Sequence, residues 1–456
     1  MSDTIAAIAT GGSISAIGII RVSGSGAIAA SDGVFRADSG ISLENAENRR
    51  MYYGALNGAD GGLIDICLCT VSRGPGSYTG EDTVEFHCHG SPVVLSEALR
   101  SLFSRGVRQA SAGEFTKRAF LNGRMDLTQA EAVIDLIESE TAAAAQNAAW
   151  QLRGAIVNRL EPVYDALLDV VSHFHAFVDY PDEDIEDFKI HAYLPVLFDV
   201  EKELKRMLST HKRGRILRDG LPTAIIGRPN TGKSSLFNAL LGYDRAIVND
   251  TPGTTRDTID EKILIGGVTL RLIDTAGFRE TDNAVEKLGV ERARDAMRGA
   301  GLAILVLDGS EPLRNEDYEA LNSIPQDMPK LAAINKSDLP DVLDPAMLAD
   351  LGLVYCRVSA LTGSGLDILE AEIIKMFPEL DATPSGEIIT NSRQAEALLR
   401  AIDSINLSIA AINASVTPDA ILTDIEAALT AIGEVIGKVM PEDVVSRIFE
   451  RFCVGK

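Results

Sequence analysis

The eight residues Gly227-Arg-Pro-Asn-Thr-Gly232-Lys233-Ser234 constrain this chain more than any other stretch, because they join a strand-like apolar run, Thr223 to Ile226, directly to a helix-like run, Ser235 to Leu241. Glycines let backbone N–H groups approach a chain of phosphates, lysine neutralises the β and γ charges, and the serine hydroxyl is left for Mg2+. Thr231, Gly232, Lys233, Ser234 and Ser235 are therefore the expected phosphate contacts, with Lys233 the catalytic cation and Ser234 an Mg2+ ligand. Gly242 is expected to end the helix. Apolar segments at 222–226, 268–273, 302–307, 331–334 and 353–358 alternate with helix-like stretches, which is how a parallel sheet in an α/β domain reads.

Asp274-Thr275-Ala276-Gly277 follows one of these strands, so the carboxylate stands at a strand's C-terminal end, placed to hold Mg2+ through water, and the Gly277 N–H can meet a γ-phosphate. Asn335-Lys336-Ser337-Asp338 follows another. Asp338 can accept from guanine N1–H and its exocyclic amine; adenine offers neither and would leave a buried charge unpaired. Asn335 and the Lys336 stem can steady the base, while the backbone of Ser359-Ala360-Leu361 can donate to guanine O6. Each motif alone also reads as a solvated turn; their order on successive strands makes a guanine-nucleotide site. Between the phosphate loop and Asp274 lies Asn249-Asp250-Thr251-Pro252-Gly253-Thr254-Thr255, where Thr255 is the expected second Mg2+ ligand and γ-phosphate sensor. Phe278, directly after Gly277, cannot orient an attacking water as glutamine would, so another group must.

A chain of 456 residues is long for one core, and two to four domains are expected. The fold class is multidomain α/β and α+β: an α+β domain over 1–118, a helical domain split between 119–215 and 379–456, and the P-loop domain inserted at 216–378. The split rests on helical stripes at both ends of the P-loop domain, such as Leu160, Val163, Leu167 and Val171 before it and Ile402, Ile405, Ile409 and Ile412 after it. A formal charge of −23 opposes non-specific attraction to polyanions, so a nucleic-acid role needs a local basic patch or a basic partner. Five cysteines without a secretory leader, and no apolar stretch of membrane-spanning length, point to a cytoplasmic protein with no membrane partner. On a strand, His87 and His89 share one face and Cys88 the other, which weighs against a zinc site; Cys67 and Cys69 alternate on a strand and read as core.

The chain resembles, over its whole length, the MnmE (TrmE) family of tRNA-modifying GTPases. Besides the nucleotide motifs, the resemblance rests on Gly74-Pro-Gly-Ser-Tyr-Thr-Gly-Glu-Asp82, His89-Gly90, Phe115, Arg118-Ala-Phe-Leu-Asn122 and the terminal Phe452-Cys-Val-Gly-Lys456. It implies a homodimer paired through the N-terminal domains that works with the flavoprotein MnmG (GidA), in a heterotetramer or larger complex. The pair installs aminomethyl or carboxymethylaminomethyl groups at C5 of the wobble uridine of certain tRNAs, with GTP hydrolysis driving a conformational cycle. FAD and NADH chemistry belongs to the partner.

Family K+ ligands map onto Asn230, Asn249, Thr251 and Thr254, where the cation would stabilise transition-state charge; the lesser alternative is that Asn230 only shapes the loop. The family's water-orienting glutamate falls at Glu286, otherwise an exposed helix charge. A tetrahydrofolate derivative, 5-formyl- or methylene-tetrahydrofolate, is implied at Arg21, Glu85, Arg124 and Lys456, with Arg124 standing where the family pattern has lysine. Cys453 is implied as a reactive thiol, and a packed, inert one fits its position as well. The rival readings are a ribosome-assembly or RNA-binding GTPase switch, and an adaptor that leaves all chemistry to its partner. The acidic charge and the folate-like N-terminal motif weigh against the switch.

Overall fold

The computed structural model describes residues 3–11, 13–179, 189–243, 261–273, 299–378, 386–439, 442–450 and 452–455. They fall into two compact units, one of Met1–Ile134, Gln151–Leu197 and Asp403–Lys456, the other of Asp135–Trp150 and Phe198–Ile402.

The first unit begins with a sheet built from β1 (Ile5–Ile8), β2 (Ser15–Ser23), β3 (Phe35–Ala37), β4 (Met51–Asn57), β5 (Leu63–Ser72), β6 (Thr83–Gly90) and β7 (Arg108–Gln109), in the order β3-β4-β5-β6-β2-β1-β7. All neighbours are antiparallel except β1 and β7. Period-two alternation gives each strand one buried face. Tyr52, Leu56, Cys67, Cys69, Phe86 and Cys88 point into a core closed by the helices Ala27–Asp32 and Pro92–Phe103. Gly18 lets the second helix come close, since a Cβ there would lie 2.6 Å from Leu95 Cδ1. The cysteines at 67, 69 and 88 are thus core residues, and the two histidines beside Cys88 face the other way.

The first part of the helical domain expected at 119–215 contains the helices Leu127–Ile137, Ala142–Leu152, Ala155–Asp179, Leu194–Ser209 and His211–Asp219. Ala155–Asp179 packs along Pro418–Ile436, burying Leu160, Leu167, Val171 and Phe174 and, from the other helix, Ile421, Ile425 and Ile432. The helix Glu442–Phe449 docks on Glu114–Leu121, where Gly113 leaves room for the Phe449 carbonyl.

In the second unit, β8 (Leu221–Ile226), β9 (Glu261–Ile265), β10 (Val268–Leu272), β11 (Leu302–Asp308), β12 (Lys330–Asn335) and β13 (Val354–Arg357) form a sheet in the order β13-β12-β11-β8-β10-β9. It is parallel except for β9 against β10. Every residue of β8 and of β11 is buried, as expected of parallel strands covered on both faces. The sequence reading anticipates all of these strands but β9, which is joined to β10 by Gly266 and Gly267 at φ 55° and 79°, the handedness a two-residue hairpin turn demands.

A buried cation ties the loop after β5 to the N-terminus of the helix Glu114–Leu121. Arg118 donates to Asp3 at 2.6 Å, to Glu114 at 2.8 Å and to Glu81 at 3.1 Å, and Arg108 clasps Asp3 and Glu114 from outside. Burial alone raises the Glu114 carboxyl, but Arg108, the Ser111 N–H and Arg118 outweigh it and hold it down to about 2. A carboxyl lowered on folding contributes stability above its unfolded value and loses it as pH falls through the folded one. Acid titration should therefore weaken the first unit progressively from the ordinary carboxyl range down to about pH 2. Glu114→Gln should be less stable at neutral pH and should flatten that slope, checked by urea unfolding followed by circular dichroism across the acid range.

Candidate functional site

The phosphate loop leaves β8 through Gly227 at φ 150°, where a Cβ would lie 2.3 Å from the Val306 carbonyl of β11. It crests at Asn230 in the left-handed region, φ 65°, and enters the helix Lys233–Tyr243. The helix begins at Lys233, earlier than the sequence reading, and continues through Gly242, whose φ is not positive and which therefore does not cap it. Ser234 and Ser235 are exposed in its first turn, and Lys233 folds over the loop to donate from Nζ to the Arg228 carbonyl at 2.7 Å. Burial, and then the Arg228 charge, push the Lys233 ammonium below its ordinary value. An anion held at this helix N-terminus would offset both effects by stabilising the charged ammonium.

Asn335 joins the loops. Its Nδ2 donates to the Thr231 carbonyl at 2.9 Å, and its Oδ1 accepts from the Ala360 N–H at 3.0 Å. Gly232, at φ 92°, has the same amide in its way: a Cβ would lie 2.2 Å from Asn335 Nδ2. Asp338 Oδ1 accepts from the Ser359 hydroxyl at 2.6 Å, which leaves its second oxygen for a donor edge. Lys336, at φ 66°, sends its ammonium to Asp308 Oδ2 at 2.6 Å. Burial raises the Asp308 carboxyl, and the Lys336 ammonium and the Ser310 donors overcome this to leave it below its ordinary value. Leu361 stands out into solvent at 85% exposure. The structure therefore brings Thr231, Gly232, Asn335, Asp338, Ser359 and Ala360 to one end of the parallel strands.

Two residues at this end escaped the sequence reading. Asp308 anchors Lys336, and the buried Arg228 binds Glu311 at 2.6 Å and Asp317 at 3.3 Å, tethering the phosphate loop to the helix Asn315–Asn322. Both partnerships are distant in sequence. Position gave the one available signal for Asp308, which ends a fully apolar strand beside the Asn335 motif. Asn249 to Thr255, Asp274 to Gly277, Glu286 and Lys456 lie outside the described residues.

In the first unit, Arg21 of β2 and Glu85 of β6 are directly paired across strands, and Arg21 Nε donates to Glu85 Oε1 at 2.7 Å. The guanidinium also lies 5.0 Å from the ring centre of Tyr78 and 5.7 Å from that of Phe115, cation–π contacts that the sequence did not reveal. Arg124 reaches the same segment, donating from Nε to the Ser77 carbonyl at 3.1 Å, while Asn122 Nδ2 donates to the Thr79 carbonyl at 2.7 Å. Arg21 and Arg124 thus both reach the loop that carries Ser77, Tyr78 and Thr79, and Glu85 is joined to it through Arg21. Cys453 is exposed, on a tail that is docked: Val454 bridges Ala112, and a Cβ on Gly455 would lie 2.1 Å from the Ile8 carbonyl of β1.

Comparison with known proteins matches nearly the whole chain. A family model described as the MnmE helical domain matches residues 127–453, and one described as the GTP-binding protein TrmE N-terminus matches residues 4–124. The chain is 39% identical to the tRNA modification GTPase MnmE of Clostridioides difficile and 41% identical to that of Heliobacterium modesticaldum, in each case over 100% of both chains. It is 40% identical to the protein of the same name from Thermoanaerobacter pseudethanolicus, over 100% of this chain and 99% of that one. Among solved structures, the G domain of the T. maritima FeoB iron transporter aligns with 34% of this chain and 97% of its own at 27% identity, with a TM-score of 0.26, too low to bear on the fold.

Gly232→Ala puts a methyl group into the Asn335 amide and strains a left-handed residue. It should weaken binding of a fluorescent guanine nucleotide at least tenfold while the circular dichroism spectrum stays that of the wild type. Unchanged affinity would mean that the loop and Asn335 are not held in this arrangement when nucleotide binds.

Proposed function

Because the chain belongs to the MnmE family of tRNA modification GTPases, we propose that it is a potassium-activated GTP hydrolase which, with a flavoprotein partner of the MnmG (GidA) type, installs an aminomethyl or carboxymethylaminomethyl group at C5 of the wobble uridine in certain tRNAs. The activity that its full-length relatives carry in name, GTP hydrolysis in tRNA modification, is this chain's activity. One observation carries the nucleotide part: the Asn335 amide links the phosphate loop at Thr231 to the Ala360 backbone, next to an Asp338 with one carboxylate oxygen free of the Ser359 hydroxyl. Phosphate recognition and guanine recognition are thereby parts of one rigid arrangement. The charge balance favours the same reading, since among the described residues Lys233 has no acidic partner and Lys336 already has Asp308.

Within this proposal, Lys233 and the N–H groups at Asn230 to Ser235 bind the phosphates, and Ser234 and Thr255 hold Mg2+. Asn230, Asn249, Thr251 and Thr254 hold K+, which when bound supplies positive charge against the transferring phosphoryl group. Asp250, Pro252 and Gly253 complete the loop between these ligands. Asp274 to Gly277 follow the γ-phosphate, and Glu286 orients water in place of Phe278. Asn230 and Ser234 are the described members of the ion sets; one crests the loop and the other is exposed at the helix N-terminus, as side chains that meet an ion beside phosphate must be.

For the N-terminal domain we propose a site for a reduced folate at Arg21, Glu85, Arg124 and Lys456, near which Cys453 is carried on its docked tail. The outward face of the sheet supports the homodimer. Met51, Tyr53, Ile66 and Leu68 are each at least 39% exposed on adjacent antiparallel strands, a contiguous apolar surface of the kind that pairs with a second copy. The proposed layout is a G domain set into a helical domain, in a protein of the cytoplasm.

Steady-state hydrolysis of GTP, with ATP as control, in matched potassium and sodium chloride tests the enzymatic part: rapid turnover of GTP alone, and only with potassium, is expected. Equal slow rates in both salts would remove K+ from Asn230 and its loop. Tyr53→Lys with Leu68→Glu should yield monomers in sedimentation equilibrium with nucleotide affinity unchanged; a persistent dimer would place the interface elsewhere.

A further inference from the structure

On the outward face of the first unit's sheet, one row of side chains holds a group with no role so far. His87 stands two residues beyond Glu85 on β6, flanked by Leu68 of β5 and Ile19 of β2, the residues directly paired with it. Its Nε2 is buried and makes no hydrogen bond. The acceptor within reach is Glu85 Oε2, 3.8 Å away, too long for a hydrogen bond. Glu85 gives Oε1 to Arg21 at 2.7 Å, and Oε2 is left over. The neighbouring histidine, His89, is already satisfied by Asp65 at 2.8 Å.

A ring nitrogen buried without a partner costs about 1–3 kcal/mol, whereas a hydrogen bond to a carboxylate is among the stronger ones available. We propose that His87 is a positioning residue for Glu85: its Nε2–H closes on Oε2 and, with Arg21 on Oε1, fixes the plane of the carboxylate so that its remaining lone pairs face the donor edge of a bound reduced pterin. The inference rests on the folate reading of this site and adds to it the residue that aims its carboxylate. The residues paired with His87 on both adjacent strands, Ile19 and Leu68, are apolar and offer its ring no side-chain partner, and the Tyr78 and Phe115 ring centres lie within 5.7 Å of the Arg21 guanidinium.

The test is a double-mutant cycle on binding of 5-formyltetrahydrofolate to the full chain, read by calorimetry, with sedimentation run alongside. His87→Leu should weaken binding about tenfold, His87→Gln, which retains a donor, should restore most of it, and His87→Leu should cost nothing further in a Glu85→Gln background. If the wild type binds and Glu85→Gln weakens it, but His87→Leu is neutral or simply additive with Glu85→Gln, the positioning role is overturned and the site stands. If His87→Leu acts only by dissociating a dimer, the role is likewise overturned. Imidazole nitrogen NMR decides the matter without any ligand: the Nε2–H tautomer, lost or shifted in Glu85→Gln, is expected, and the Nδ1–H tautomer in the wild type would sink the inference even where the absence of binding had removed the folate reading itself.

Discussion

The side-chain amide of Asn335 is the tie on which the nucleotide end of the second unit depends. It is 2% exposed, it stands at the last position of β12, and it spends its donor on one loop and its acceptor on another. A buried amide with both ends used cannot be moved without orphaning a backbone group at each contact, and each orphan costs on the order of 1–3 kcal/mol. Gly232 is a glycine because this amide sits where its Cβ would be. The parallel sheet underneath, with β11 buried along its length between β8 and β12, keeps the two loops at the separation that the amide spans.

The first unit solves a different problem with charge. Its loop after β5 carries few apolar side chains and is held by pairing: Arg118 to Glu81, the Ser23 hydroxyl to Glu81 Oε2 at 2.9 Å, and Asn122 to the Thr79 carbonyl. Arg21 is then clasped between a carboxylate and two aromatic rings, an arrangement that keeps a cation rigid while leaving part of it to solvent. Rigid cations and carboxylates on a strand pair are what recognition of a planar, donor-rich ligand needs, because little ordering remains to be done on binding.

What the sequence displayed was whatever is local along the chain. The phosphate loop announces itself because strand, glycines, lysine and helix are contiguous, and Asn335 to Asp338 because the motif sits at the end of an apolar run. The inward-facing Cys67 and Cys69, and the placing of Cys88 opposite His87 and His89, were legible from period two alone. Partnerships between distant segments were hidden: Arg228 with Asp317, Lys336 with Asp308, Arg21 with the rings of Tyr78 and Phe115. β9 was missed because its pattern is short and the Gly266-Gly267 turn alone marks it. The docking of the tail at Cys453 was hidden too, since the Ala112 backbone and the Ile8 carbonyl that receive it are written hundreds of residues earlier in the sequence.

That docking sets an order on biosynthesis. The tail that packs on the Ile8 carbonyl of β1, and the bridge of Val454 to Ala112, arrive only after everything between them and β1 has been translated, the whole of the second unit included. Until the tail has been made, that flank of the N-terminal sheet stays uncovered. A chain cut short after Ala360 but before Val454 would carry the nucleotide-site residues described above while lacking the seal on β1, so quality control could distinguish such a product by that uncovered flank.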